Sequence, residues 1–114
     1  MQVRYRKDCD PYGPPPGHFD VTCINLHDKR TSGTDHLELG LSYFLPNGGR
    51  ADYLKCGPDS SIAYFIIQGE MTITTDDGEY VLHAGDSIMF NEGDGRSSRN
   101  TGTDVAIMLV VEGK

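Results

Sequence analysis

The stretch from Ala63 to Phe90 reads AYFIIQ-G-EMTITT-DDG-EYVLH-AGD-SIMF, four short runs of β-branched, aromatic and aliphatic residues cut by glycine-bearing turns. None of these runs carries the 3.6-residue spacing of a helix, and Asp77-Gly78 marks a hairpin because glycine accepts positive φ. Strands are therefore predicted over 63–68, 70–75, 79–83 and 87–90. On the N-terminal side, Leu37, Leu39, Leu41, Tyr43 and Leu45 alternate with His36, Glu38, Gly40, Ser42 and Phe44, the period-two pattern of a strand with one packed face. Further strands are expected over 18–26, with Phe19, Val21, Cys23 and Asn25 on one face, and over 50–54 and 104–112. Residues 28–34 and 91–95 read as turn and loop. Eight or nine short strands in 114 residues favour an all-β barrel or jelly roll, which closes or shortens exposed sheet edges. Pro11, Pro14, Pro15 and Pro16 fix φ and remove backbone donors, so residues 1–17 are expected to be an extended arm and 18–114 a single barrel domain.

Composition narrows the function classes. A chain of 12.5 kDa is expected to expose about 6,200 Å² folded against about 18,000 Å² unfolded, enough burial for one core. Seventeen acidic against ten basic residues give a net charge of −7, with no cluster of Lys and Arg, which argues against nucleic acid and anionic membrane as partners. Three cysteines, Cys9, Cys23 and Cys56, and an N-terminus without an apolar core point to a reduced, cytoplasmic setting. The longest apolar run, Val105 to Val111, is strand-sized rather than membrane-sized.

Around Gly69 and Gly85 the spacing resembles the conserved β-barrel of small cupins. The second pattern of that family is G-x5-P-x-G-x2-H-x3-N. Gly85, Asn91, Gly93, Arg96 and Asn100 keep its spacing, with Asn91 in place of Pro and Arg96 in place of His. The first pattern, G-x5-H-x-H-x(3,4)-E-x6-G, runs Gly49, Lys55, Gly57, Ile62, Gly69, so both glycines are kept and all three metal ligands are replaced. A register one residue shorter would place Cys56 and Pro58 at the histidine positions but lose the leading glycine. The resemblance implies a cupin double-stranded β-helix, or jelly-roll barrel, whose motif positions line the interior.

A metal site needs imidazole and carboxylate converging on one ion, whereas Lys55 and Arg96 are cations, Gly57 has no side chain and Ile62 no lone pair. No metal and no cofactor are expected. Arg96 would instead offer a planar fork of donors to a carboxylate, with Lys55 as a second charge. The bland alternatives are Arg96 paired with Asp94 or Glu92, and Lys55 solvated. Tyr64 shares the parity of Ile62 and is a candidate for the inner wall. Glu38, Ser42 and His36 share one face, and either that face or the leucine face lines the cavity. Met108 is a candidate for an adaptable apolar wall.

Cys56 is expected to be a small buried hydrophobe rather than a thiolate, and His83 to be exposed. A relocated metal site from His36, Glu38 and Cys56 is the alternative that would restore metal chemistry. The arm segment 10–18 suits either packing across a second copy in a homodimer or closing over its own cavity through Tyr12 and His18.

These residues carry one leading reading, a metal-independent barrel that binds a small anionic organic molecule. The competing readings are an isomerase, cyclase or lyase using Lys55, Arg96 and Tyr64, a metalloenzyme with relocated ligands, and a ligand-free oligomeric scaffold. Fold alone does not decide among them.

Overall fold

The computed structural model describes residues 1–114, and its architecture is all-β. The strands are β1 (Pro11–Tyr12), β2 (His18–Phe19), β3 (Val21–His27), β4 (Leu37–Phe44), β5 (Arg50–Lys55), β6 (Ser61–Gln68), β7 (Glu70–Thr75), β8 (Gly78–His83), β9 (Ser87–Phe90), β10 (Gly95–Asn100) and β11 (Ala106–Gly113). They form two antiparallel sheets, β1-β3-β4-β11-β6-β9 and β2-β5-β10-β7-β8, facing each other as a jelly roll. Within the stretch 28–34, Lys29–Ser32 make one helical turn, because the Asp28 carboxylate accepts from the Thr31 amide while Thr31 Oγ1 accepts from the Asp28 amide.

Two readings of the sequence are corrected. The expected strand 18–26 is two strands in different sheets: His18–Phe19 pairs with β5, and Asp20, at φ 54°, turns the chain so that Val21 onward pairs with β4. A tight reversal at a non-glycine residue leaves no punctuation in an otherwise strand-like run. The second correction is β10, a strand over Gly95–Asn100 where the sequence reading places none. It buries Arg96, Ser98 and Asn100 and turns Ser97 and Arg99 outward, so it is polar on both faces and shows no hydropathy alternation.

On β4 the inward parity is that of the buried Ser42 and Phe44, shared by Glu38 and Gly40; the leucines lie on the opposite parity, Leu37 exposed and Leu39 and Leu41 half-buried where they too border the cavity. The apolar core fills one end of the space between the sheets, with Phe44, Ile66, Met71, Ile73 and Ala106 at or near zero exposure. Of these, Phe44, Ile66, Met71 and Ile73 each contribute about 1.5–3 kcal/mol by leaving water.

The motif glycines have separate steric reasons. A Cβ on Gly49 would lie 2.6 Å from the Leu45 carbonyl oxygen and 2.7 Å from its amide nitrogen, with no flexible side chain to yield. Gly69 sits at φ 84° and a Cβ there would lie 2.9 Å from Ala106 Cα. The Asn100 side chain stitches the structure internally: Nδ2 donates to the Phe44 and Asp104 carbonyls and Oδ1 accepts from the Gly102 amide, each at 2.9 Å.

Candidate functional site

The other end of the space between the sheets is open and forms a cavity of about 380 Å³, at the small end of the usual range for ligand pockets. Its walls come from β3, β4, β11 and β6 on one side and from β5 and β10 on the other. Lys55, Gly57, Ile62 and Arg96, the four residues standing where the sequence pattern has metal ligands, all line this one cavity. Tyr64, Glu38 and Met108 line it as well.

Arg96 governs its electrostatics. The side chain is 7 % exposed; Nε donates to Tyr64 Oη at 3.0 Å and Nη1 to the Leu54 carbonyl at 3.0 Å. The guanidinium carbon lies 5.8 Å from the Tyr64 ring centroid and 5.4 Å from that of Phe90, and these two rings meet edge to face. Aromatic faces stabilise a cation only modestly. No carboxylate pairs with Arg96: Asp94 accepts from the Asn91 amide and Glu92 from the Asp59 amide instead. Nη2 donates to no protein atom. The result is a fixed, buried positive charge with unspent donors at the wall of a cavity.

Lys55 is exposed at the mouth. Met108 is buried and shared with the core cluster. His36 is not part of the site. It precedes β4, is exposed, and belongs to a separate surface hollow with Asp59 and Ser61, so the parity it shares with Glu38 ends where the strand does. Cys56 is buried, its thiol directed to the Ser60 carbonyl at 3.4 Å, and nowhere do three His, Cys, Asp or Glu side chains converge in a way that could hold a metal. The residues at the cavity wall therefore do not fit a metal ion, and the trio His36, Glu38 and Cys56 is not assembled. His83 is exposed and contacts Glu70.

Sequence reasoning missed Ser98, Cys23 and Glu112, all of which line the cavity. Ser98 is hidden in the polar strand β10. Glu112 is the Cα partner of Glu38 across β11 and β4, a pairing that only the strand register discloses.

The arm folds onto its own barrel. Pro11 and Tyr12 pair with Ile24 and Cys23, and Tyr12, Pro15 and His18 form part of the rim. Burial, reinforced by the neighbouring Cys23, pushes the Tyr12 hydroxyl above its ordinary range, so at neutral pH it is a protonated donor. Burial also pushes the Cys23 thiol up, against smaller opposing effects of hydrogen bonds to Ser42 and Tyr12. The scarce thiolate should make Cys23 alkylate slowly at pH 7 and roughly tenfold faster per pH unit up to about pH 9. Tyr12→Ala, which uncovers the thiol, should accelerate it at least about tenfold. Peptide-resolved mass spectrometry checks both; a rate independent of pH and of Tyr12 would remove Tyr12 from the rim.

Comparison with known proteins gives a consistent placement. The family description "Cupin domain" matches residues 43–112. The sequence is 30% identical over 95 residues to the beta-D-galactosidase Rv1717 of Mycobacterium tuberculosis, covering 83% of this chain and 79% of that protein. Among solved structures, the fold is similar to that of the polyketide cyclase RemF from Streptomyces resistomycificus, with a TM-score of 0.84 and 20% identity over 99% of this chain and 79% of that one. It is also similar to a predicted oxalate decarboxylase from Thermotoga maritima, with a TM-score of 0.82 and 18% identity over 98% of both chains. No helix of the chain is long and apolar enough to cross a membrane.

Proposed function

Since the chain belongs to the cupin family, we propose that it uses the barrel cavity without a metal, to bind a small organic anion whose carboxylate meets Arg96. The observation that carries this reading is the buried guanidinium that has aromatic faces and a carbonyl for company but no counter-anion. A buried charge is costly unless paired, so the site is at its most stable with a carboxylate or similar planar anion on the free edge of Arg96. Lys55 at the mouth supplies attraction along the entry path, and Ser42, Ser98 and Tyr12 offer hydroxyls to the remainder of such a molecule.

A panel of hydroxy acids and dicarboxylates, each run beside its neutral amide, tests this by calorimetry and thermal shift on metal-free protein. A ligand at 100 times its Kd should stabilise the fold by about 2.7 kcal/mol. Acids that raise the melting temperature while their amides do not, with no change on adding Zn²⁺ or Mn²⁺, are the expected result. Equal effects of acid and amide, or binding that requires a metal, would overturn it.

A second reading is favoured by one observation. Glu38 and Glu112 face each other as Cα partners and both line the cavity, and glycoside hydrolysis generally employs two carboxylates flanking the scissile bond. The M. tuberculosis relative is named as a galactosidase. Release of nitrophenol from a nitrophenyl β-galactoside, abolished in Glu112→Gln, would establish this activity in place of anion binding.

A further inference from the structure

We infer that the gap between the two sheets at the edges β8 and β9 is a second binding site, separate from the barrel cavity, that takes a small organic cation with an apolar or aromatic body. The strand register places its floor. Directly opposed residues of an antiparallel pair project to the same side of the sheet. Tyr80 and Leu82 of β8 stand opposite Ile73 and Met71, and Ile88 and Phe90 of β9 stand opposite Tyr64 and Ile62. All four partners belong to the buried core, so Tyr80, Leu82, Ile88 and Phe90 point into the space between the sheets.

That space is not filled here. β8 ends one sheet and β9 ends the other, and the two strands are joined at one end by the turn at residues 84–86. Tyr80, although on the inward side, is 47 % exposed, and Leu82 and Ile88 are half-buried. A hollow of about 360 Å³ remains between them, within the range of ligand pockets. An apolar floor left wet is unfavourable, and the apolar body of a ligand removes it from water.

The rim decides the charge of that ligand. Asp76 and Asp77 at the tip of the β7–β8 hairpin and Asp94 before β10 border the hollow, and no Lys, Arg or His does. Two of the carboxylates are held in place: Asp76 accepts from Tyr53 Oη at 3.0 Å, and Asp94 Oδ2 accepts from the Asn91 amide at 2.8 Å. None of the three is in an ion pair; the pairs of this chain are Lys29–Asp35, Arg50–Asp52 and His83–Glu70. Nor do they converge in a way that could hold a metal ion. They ring an apolar floor, the complement of an ammonium or amidinium carried on a hydrophobic body, and the net charge of −7 attracts such a cation from a distance.

Phe90 is the partition between this hollow and the barrel cavity. Its ring centroid lies 5.4 Å from the Arg96 guanidinium carbon and 5.2 Å from the Tyr64 ring centroid, both of which belong to the barrel cavity. The two sites share a wall and select opposite charges.

Titration of the isotope-labelled full chain with phenethylamine and tryptamine, each beside its neutral alcohol, phenylethanol and tryptophol, tests the inference by amide chemical shifts. The amines should move the amides of Asp77, Ser87, Met89 and Gly95, bind below about 1 mM, and hold at least about tenfold more tightly than the alcohols. The triple variant Asp76→Asn, Asp77→Asn, Asp94→Asn keeps side-chain oxygens to accept from Tyr53 and Asn91, and should bring the amines down to the affinity of the alcohols. Asp77→Asn alone, at a residue that bonds to Thr75 Oγ1 only through its amide, serves if the triple variant does not fold and should weaken the amines about threefold. Arg96→Met should leave the amine shifts in place. Equal affinity for amine and alcohol, or amine affinity that survives the aspartate variants, would overturn the proposal. So would shifts centred on Ser42, Ser98 and Met108, which would put the amine in the barrel cavity instead.

Discussion

Gly69→Ala should lower the melting temperature by about 12 °C, corresponding to a loss of about 3 kcal/mol at about 4 °C per kcal/mol. Two costs combine at this position. Holding a side chain at φ 84° costs about 1 kcal/mol or more. The new methyl also meets Ala106 Cα at 2.9 Å and the Val105 carbonyl at 3.1 Å, where β11 begins beside the end of β6, and backbone must shift to admit it. Gly85→Ala separates the two. Gly85 is also in the left-handed region, at φ 93°, but nothing lies within 4 Å of its would-be Cβ. It should lose only the conformational part, about 1 kcal/mol or about 4 °C. Equal losses at the two glycines would mean that β6 and β11 do not meet as closely as described.

Arg96→Met should separate binding from stability. Charge-assisted hydrogen bonds contribute about 1.5–3 kcal/mol each, so carboxylate affinity should fall by roughly one to two orders of magnitude. The folded state should not suffer in proportion. The variant loses two hydrogen bonds, to Tyr64 Oη and the Leu54 carbonyl, and also loses the cost of an uncompensated cation at 7 % exposure. Replacing buried charge by an apolar side chain of similar length is often neutral or stabilising. Unchanged or higher melting temperature together with weakened carboxylate binding is the expected pair of results, by differential scanning calorimetry and titration calorimetry. A large fall in stability with unaltered affinity would make Arg96 a structural strut and remove it from the binding site.

Most strands were legible because their two faces differ. In β4 and β11 apolar side chains recur in patterns that need no tertiary information, and β7 and β8 announce themselves through their turn. What escaped is physically coherent. In β10 the inward face is Arg96, Ser98 and Asn100, three polar side chains of which Arg96 and Asn100 are held by hydrogen bonds, so the very residues that build the site erase the signal of the strand that carries them. The spacing between Gly85 and Asn100 still located Arg96, because position in a motif survives the loss of its original chemistry. Glu112 could not be found this way, since its proximity to Glu38 arises from strand register between segments far apart in the chain. The choice of inward face on β4 was open for a similar reason: the sheet is apolar on its outer side too, so hydropathy alone points both ways.

The arm gives the cavity a kinetic property separate from its chemistry. Only Pro11 and Tyr12 pair with the barrel edge, and the following Pro14, Pro15 and Pro16 have no amide hydrogens to contribute to a ladder. Detaching the segment is therefore a local opening, far less costly than cooperative unfolding of the two sheets. A molecule held beneath Tyr12 and Pro15 would leave on the timescale of that opening. Its residence time should then stay constant in variants such as Gly85→Ala that lower global stability, and amide exchange at Tyr12 should report the same rate.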